Sequence, residues 1–277
     1  MPTTVRAAAV QMTCGPDKNA NLATAIRLVE TAAERGASFV VLPELFQSLG
    51  PASRMWEVAE EIPGPTSLAM STLAARLQLT VVAGSIAERD AATEKSAQKT
   101  ERRVYNTSLM FGPDGKELVR YRKQHLFDVD LPGRVSVQES AWCGAGTYES
   151  VSETPAGRVG LAICYDLRFP ELFRRLADSQ VEIIALPAAF ALVTGRDHWE
   201  ILLRARAIEN QAFVVAANQT GRVTPQLETY GHSLIIDPWG TVLASAGDGE
   251  DLVVAELDFA RMQEIRGQLP ALMHRRR

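Results

Sequence analysis

Three side chains stand in contexts that could break and make bonds: a cysteine, a glutamate and a lysine. Cys164 closes the apolar run Gly160-Leu-Ala-Ile-Cys164 and is followed by Tyr-Asp-Leu-Arg-Phe-Pro-Glu171, where a helix is expected to begin. The turn from a strand into a helix at the carboxyl end of a sheet is where open α/β proteins hold ligands, and a thiol there meets free backbone N–H groups. Position alone still favours a structural thiol, because unpaired cysteines are commonly core residues. Glu44, in Val-Leu-Pro-Glu44-Leu-Phe, ends another apolar strand and would be partly desolvated there, as a general base requires. A solvated loop glutamate is the alternative. Lys123, in Val119-Arg-Tyr-Arg-Lys123-Gln-His-Leu-Phe-Asp128, shares one strand face with Tyr121, while Arg120 and Arg122 take the other. Turned inward, the lysine needs a carboxylate or an oxyanion as partner; turned outward, it is one more cation on a basic edge strand. Of the four histidines, His125 and His232 occupy strand-like positions and offer a Cys/His mechanism, although lone histidines are more often structural.

The elements expected to carry these residues alternate between short apolar runs and segments of helical period, the pattern of an α/β protein. A strand over 5–12, a helix over 21–36, a strand over 38–43, a helix over 67–77 and a strand over 80–86 open the chain. Runs 104–111 and 117–122 flank Gly112-Pro-Asp-Gly115 and predict a hairpin, so the sheet is mixed. A loop-rich stretch covers 131–148. The opening pattern then returns as a strand over 159–164, a helix over 171–177, a strand over 182–187, a helix over 198–211 and a strand over 212–217. Strands over 230–237, 242–246 and 252–257 and a helix over 259–268 complete the reading. Two similar half-sheets, each covered by helices on one face, would pack as a four-layer αββα sandwich. With no linker or shift in composition, residues 1–277 are expected to form a single domain. Residues 89–101 read as a flexible loop and 275–277 as a solvated basic tail.

In order and spacing, Leu42-Pro-Glu44, Tyr121-Arg-Lys123-Gln-His-Leu-Phe and Gly160-Leu-Ala-Ile-Cys164-Tyr-Asp-Leu-Arg-Phe-Pro-Glu171 resemble the Glu, Lys and Cys signatures of the nitrilase superfamily of carbon–nitrogen hydrolases. Tyr230-Gly-His-Ser233 and Asp237-Pro-Trp-Gly240 extend the resemblance over essentially the whole chain. It implies an αββα sandwich that assembles as a homodimer or larger, with Glu44 as general base, Lys123 beside the oxyanion and Cys164 as nucleophile. It also implies a second glutamate after the lysine, and Glu139 stands in that place; without the resemblance it reads as a solvated loop carboxylate. The backbone N–H of Tyr165 would join Lys123 at the oxyanion. No metal or organic cofactor is called for.

Within the superfamily the chain resembles the omega-amidase and deaminated-glutathione amidase branch, through His125-Leu-Phe-Asp-Val-Asp-Leu-Pro-Gly133, Thr154-Pro-Ala-Gly157, Phe190-Ala-Leu-Val-Thr194-Gly and His198-Trp-Glu-Ile-Leu-Leu-Arg-Ala-Arg-Ala-Ile208. That implies small amides bearing a carboxylate, of the 2-oxo acid or deaminated-glutathione type. Arg168 suits a bidentate clamp on such a carboxylate, or else braces its own loop through Asp166 or Glu171. Phe190 offers an apolar wall, Thr194 a hydroxyl, and Phe127 is a further pocket residue. Another amidase, an N-carbamoyl hydrolase or a nitrilase is the alternative within the superfamily, and a scaffold that lost catalysis is the alternative outside it.

The composition agrees with an enzyme acting on a small molecule. The 277 residues are 46% hydrophobic and 22% charged with a net charge of −4, enough apolar material for a large core and no broad basic field for nucleic acid. No apolar run is long enough to span a bilayer, and the start lacks the layout of a signal peptide, so a cytoplasmic protein is expected. Three cysteines without a close pair suggest neither a disulfide framework nor a structural zinc site.

Overall fold

The computed structural model describes residues 3–90, 104–224 and 227–276. Two sheets make its centre. In the first, Asp251–Asp258, Thr4–Gln11, Phe39–Val41, Thr80–Val82, Val104–Phe111 and Ile86–Arg89 lie in that order, and Glu117–Arg122 and Cys143–Gly144 also pair with Val104–Phe111. In the second the order is Ser150–Thr154, Gly157–Leu161, Ile183–Ala188, Phe213–Asn218, Leu234–Ile236 and Val242–Ser245. Each mixes parallel pairs at its centre with antiparallel pairs outside. Helices Lys18–Glu34 and Pro65–Leu77 cover the outer face of the first sheet, and Pro170–Asp178 and Leu192–Asn210 that of the second. The αββα sandwich expected from the sequence is therefore the observed architecture.

Alternation explains the layering. In Val5-Arg-Ala-Ala-Ala-Val10, Ala7 and Ala9 join the core between the sheets, while Ala8 and Val10 pack toward the first pair of helices. Small side chains at Ala7 and Ala9 let the second sheet approach closely. Phe39, Phe173, Trp199 and Phe213 are almost fully buried, and each contributes about 1.5–3 kcal/mol relative to exposure. Helix Lys18–Glu34 starts where the Asp17 carboxylate accepts the N–H groups of Asn19 and Ala20 at 2.9 and 3.1 Å.

Several boundaries differ from the sequence reading. The strand expected over 80–86 is two, Thr80–Val82 and Ile86–Arg89, because the chain turns at Gly84. The strand expected to run to Cys164 ends at Leu161. Helix Leu192–Asn210 begins six residues before the expected start at His198. The loop-rich stretch holds the hairpin Asp128–Leu131 with Val135–Gln138 and a 3-10 turn at Glu139–Ala141. Only Leu234–Ile236 of the strand expected over 230–237 is in the second sheet, and Tyr230 closes a separate hairpin, Thr220–Thr224 with Leu227–Tyr230. The loop expected over 89–101 lies outside the described residues from 91 onward, as does Arg277 at the basic end.

Candidate active site

Strand ends from both sheets converge on one place. Glu44 follows Phe39–Val41 through Leu42 and Pro43, and its backbone is tied across to the second sheet: its N–H lies 3.4 Å from the Ala188 carbonyl, and Gln219 Nε2 donates to its carbonyl at 2.6 Å. Behind it Gly84, at φ +47°, lies so close that a Cβ there would overlap the Pro43 carbonyl oxygen. Lys123, just past Glu117–Arg122, has the same support, since a Cβ at Gly146 would overlap the carbonyl oxygen of Arg122.

Lys123 is 2% exposed, with both ionic partners buried beside it. Its Nζ lies 2.8 Å from Glu44 Oε1 and 2.9 Å from Glu139 Oε2. Burial by itself would favour the neutral amine; Glu139 and then Glu44 outweigh it and hold the ammonium pKa well above the ordinary lysine value. Glu139, 4% exposed, is far from a solvated loop carboxylate, and its Oε2 also accepts the Phe127 N–H at 2.7 Å. Asn106 joins the group from the neighbouring strand, where its Nδ2 donates to Glu44 Oε1 at 2.8 Å and to Glu139 Oε1 at 3.2 Å. The inward reading of Lys123 is thus the observed one, with Arg120 and Arg122 on the other face against Glu88.

Cys164 opens a 3-10 turn, Cys164–Arg168, with φ +44°, a left-handed conformation uncommon for a residue with a side chain. The turn is over-determined from three sides. Asp166, fully buried, accepts the Ile163 N–H at 2.9 Å, the Tyr121 hydroxyl at 2.7 Å and the His125 N–H at 3.0 Å, and Arg206 donates twice to the Leu167 carbonyl. The sulfur faces Glu44. Burial, reinforced by the Glu44 charge and opposed by Lys123, pushes the thiol pKa well above its ordinary value, so the resting sulfur carries its proton. Tyr165 comes next in the turn, whose opening N–H groups have no acceptor within it.

No histidine enters this cluster among the described residues. His125 places Nδ1 2.6 Å from Asp166 Oδ1 and stacks on Phe169, and His232 Nε2 lies 3.4 Å from Asp248. The described residues also contain no cluster of His, Cys, Asp and Glu able to hold a metal ion.

Glu44, Lys123, Glu139 and Cys164 line one cleft of about 620 Å³ counted to its open mouth, together with Phe127, Tyr165, Arg168, Phe190 and Thr194. Every site residue expected from the sequence is therefore at this place. Arg168 lies over the Phe190 ring at 5.1 Å and places Nη1 3.3 Å from His198 Nδ1, which differs from the loop brace through Asp166 or Glu171. Phe190 leans on Trp199, Phe127 meets the Tyr165 ring edge-on at 5.0 Å, and the Thr194 hydroxyl donates to the Ala191 carbonyl at 3.4 Å.

Residues 6–267 match the carbon–nitrogen hydrolase family model. The chain belongs to the carbon–nitrogen hydrolase family. It is 43% identical to a deaminated glutathione amidase of Synechocystis over 97% of both chains, and 40% identical to the omega-amidase NIT2 of Bos taurus over 99% of this chain and 95% of that one. Its fold matches the C. elegans NitFhit protein with a TM-score of 0.90 at 37% identity, covering all of this chain and 66% of that one. It also matches Saccharomyces cerevisiae Nit3, a member of branch 10 of the nitrilase superfamily, with a TM-score of 0.88 at 33% identity over all of this chain and 98% of the other. The nitrilase fold and the amide-hydrolase class expected from the sequence both stand on these likenesses.

In this carbon–nitrogen hydrolase the sequence reading missed the roles of three residues that support the site, Asn106, Asp166 and Ala189. Asn106 lies in the strand Val104–Phe111, where Asn106, Thr107 and Ser108 are all fully buried. Asparagine is depleted in strand interiors, and a buried amide is costly without partners, so three polar residues in a row there are a signal of built polar contacts. Asp166 gave a weaker signal, as one acid among several after the cysteine. The Ala189 N–H, which donates to Glu44 Oε2 at 2.8 Å, leaves no trace in a side-chain pattern.

Proposed function

We propose that this enzyme hydrolyses a small carboxylate-bearing amide, of the 2-oxo acid or deaminated-glutathione type, through a thioester on Cys164. The observation that carries the reading is Lys123 held between Glu44 and Glu139 in the cleft that Cys164 enters. Glu44 takes the thiol proton as sulfur attacks the amide carbon; the high thiol pKa makes transfer in step with attack the economical route. Oxygen gains the negative charge, which the Lys123 ammonium and the Tyr165 N–H stabilise, each by roughly 3 kcal/mol. The same Glu44 proton passes to the departing nitrogen as the C–N bond breaks. Water then gives a proton to Glu44 and its oxygen to the thioester carbon, and the proton returns to sulfur as the carboxylic product leaves. Glu139 keeps Lys123 aimed, and Arg168 holds the carboxylate of the acyl portion between Phe190, Thr194 and Phe127. The whole chain works as one domain, in the cytoplasm, and associates as a homodimer or larger.

Ammonia release from a panel of 2-oxo amides, peptide-like amides, N-carbamoyl amino acids and nitriles tests the reading. Turnover confined to carboxylate-bearing amides, and abolished in Cys164→Ala, supports it. Full activity of Cys164→Ala, or a preference for nitriles, would overturn it.

A further inference from the structure

Lys123 and Cys164 come from different sheets. The lysine follows Glu117–Arg122 of the first, and the cysteine stands in the 3-10 turn beyond Gly157–Leu161 of the second. Glu44 is joined to the second sheet at other points, since Ala188, Ala189 and Gln219 lie at or just past the ends of Ile183–Ala188 and Phe213–Asn218. The ammonium sits at the end of a flexible four-carbon stem. Its distance from the sulfur therefore depends on how the two chain segments meet.

They meet at Asp166. Two residues before Lys123, the Tyr121 hydroxyl donates to Asp166 Oδ2 at 2.7 Å. Two residues after it, His125 brings its backbone N–H to Oδ1 at 3.0 Å and its ring Nδ1 to the same oxygen at 2.6 Å. The carboxylate assigns the ring hydrogen to Nδ1, and the imidazole is stacked on Phe169 at 3.8 Å. Tyr121 keeps its proton for the bond, because burial and then the Asp166 charge hold the phenol pKa well above its ordinary value. On the nucleophile's side, Asp166 Oδ2 accepts the N–H of Ile163, the residue before Cys164. Donors from both flanks of Lys123 and from the backbone next to Cys164 thus converge on one fully buried carboxylate.

We propose that Asp166 is a positioning residue that fixes the gap between the Lys123 ammonium and the Cys164 sulfur, with Tyr121 and His125 as the two arms that hold it to the lysine segment. The inference rests on the amide-hydrolase reading above, in which sulfur attacks while negative charge grows on oxygen against Lys123. Both groups must reach the same carbonyl, and a displacement of about 1 Å there costs on the order of 100-fold in rate. Arg206, which holds the Leu167 carbonyl, fixes the same turn against its own helix Leu192–Asn210, not against Lys123.

Tyr121→Phe and His125→Leu each remove one arm, and His125→Asn puts an amide N–H back in place of the ring N–H. With the amide that the wild type hydrolyses fastest, we expect kcat to fall about tenfold in Tyr121→Phe and in His125→Leu at unchanged KM, and His125→Asn to recover most of that loss. Alkylation of Cys164 by iodoacetamide, located by peptide mass, reports on the turn alone, because it needs the thiol and Glu44 but develops no oxyanion. Its rate should stay at the wild-type level in all three variants. Tyr121→Phe deletes a single hydroxyl and keeps the ring, so it carries the test if His125→Leu does not fold. Turnover and alkylation falling in step, undiminished kcat in Tyr121→Phe, or no recovery in His125→Asn overturns the clamp and leaves the amidase reading intact. A wild type that is alkylated at Cys164 but hydrolyses no amide removes that reading, and the clamp with it.

Discussion

Asn106 Nδ2 reaches Glu44 Oε1 at 2.8 Å and Glu139 Oε1 at 3.2 Å, so one neutral amide ties together the two carboxylates that flank Lys123. Its own Oδ1 is buried with no hydrogen-bond partner among the described residues. An acceptor left unmatched in that way costs free energy, and the side chain is placed for what its NH₂ group does.

Asn106→Ala is accordingly expected to lower kcat about 10- to 100-fold with little change in KM, through misplacement of Glu44, and to cost about 1–3 kcal/mol of stability. Asn106→Asp should be worse on both counts, because it adds a third carboxylate to two. Steady-state kinetics beside a denaturant titration separate the effects; an alanine variant with undiminished kcat would show that Glu44 is held well enough without the bridge.

Lys123→Met leaves Glu44 and Glu139 buried without their shared cation, and should cost about 3–5 kcal/mol as well as activity. Adding Glu139→Gln removes one of the stranded charges, so the double variant should regain part of that stability while remaining inactive. A thermodynamic cycle over the two sites reads the coupling directly, and strict additivity would contradict a shared electrostatic unit.

For Arg168→Ala the expected signature is selective: KM rises about tenfold or more for amides with an acyl-side carboxylate, while neutral amides keep their KM. Equal loss for both kinds of amide would make Arg168 a structural brace instead.

The three thiols predict alkaline lability. Burial lifts Cys143 to about 12 from an ordinary value of 9.0, and pushes Cys14 and Cys164 up as well. A folded-state pKa above that of the unfolded chain means the unfolded form loses its proton first. Each thiol's contribution is thus intact below about pH 9 and falls as pH climbs from there toward the folded value, at about 1.4 kcal/mol per pH unit and per thiol. Lys123, also raised, adds to the same decline above its ordinary 10.5. Stability measured between pH 8 and 10.5 should fall steeply in the wild type and less steeply in Cys14→Ala; parallel slopes would mean that Cys14 ionises freely in the folded protein.

The central strands and the covering helices were readable in the chain because short apolar runs and helical period are local signals, as in Ile183–Ala188 and Lys18–Glu34. The hairpins Asp128–Leu131 with Val135–Gln138 and Thr220–Thr224 with Leu227–Tyr230 were not, since they stand off the two main sheets and carry many partly exposed side chains, which blurs the pattern. The first turns of Leu192–Asn210 were hidden for another reason: no side chain caps the helix, and Gly195, a poor helix former, sits there because any side chain would strike the Tyr230 ring. Residue identity alone proposed Cys164, Glu44 and Lys123 and left each with a structural alternative. Only the resemblance joined them, because contacts between residues 44, 123, 139 and 164 have no local signature.

The pairing of Thr4–Gln11 with Asp251–Asp258 sets an order on synthesis. Thr4–Gln11 waits, one edge bare, for a partner that lies far later in the chain, and the sheet that carries Glu44 and Lys123 stays incomplete until then. Contacts so far apart in sequence slow folding and leave an edge open to wrong partners in the meantime. Nascent chains halted before Asp251 should for that reason be the form most in need of a chaperone.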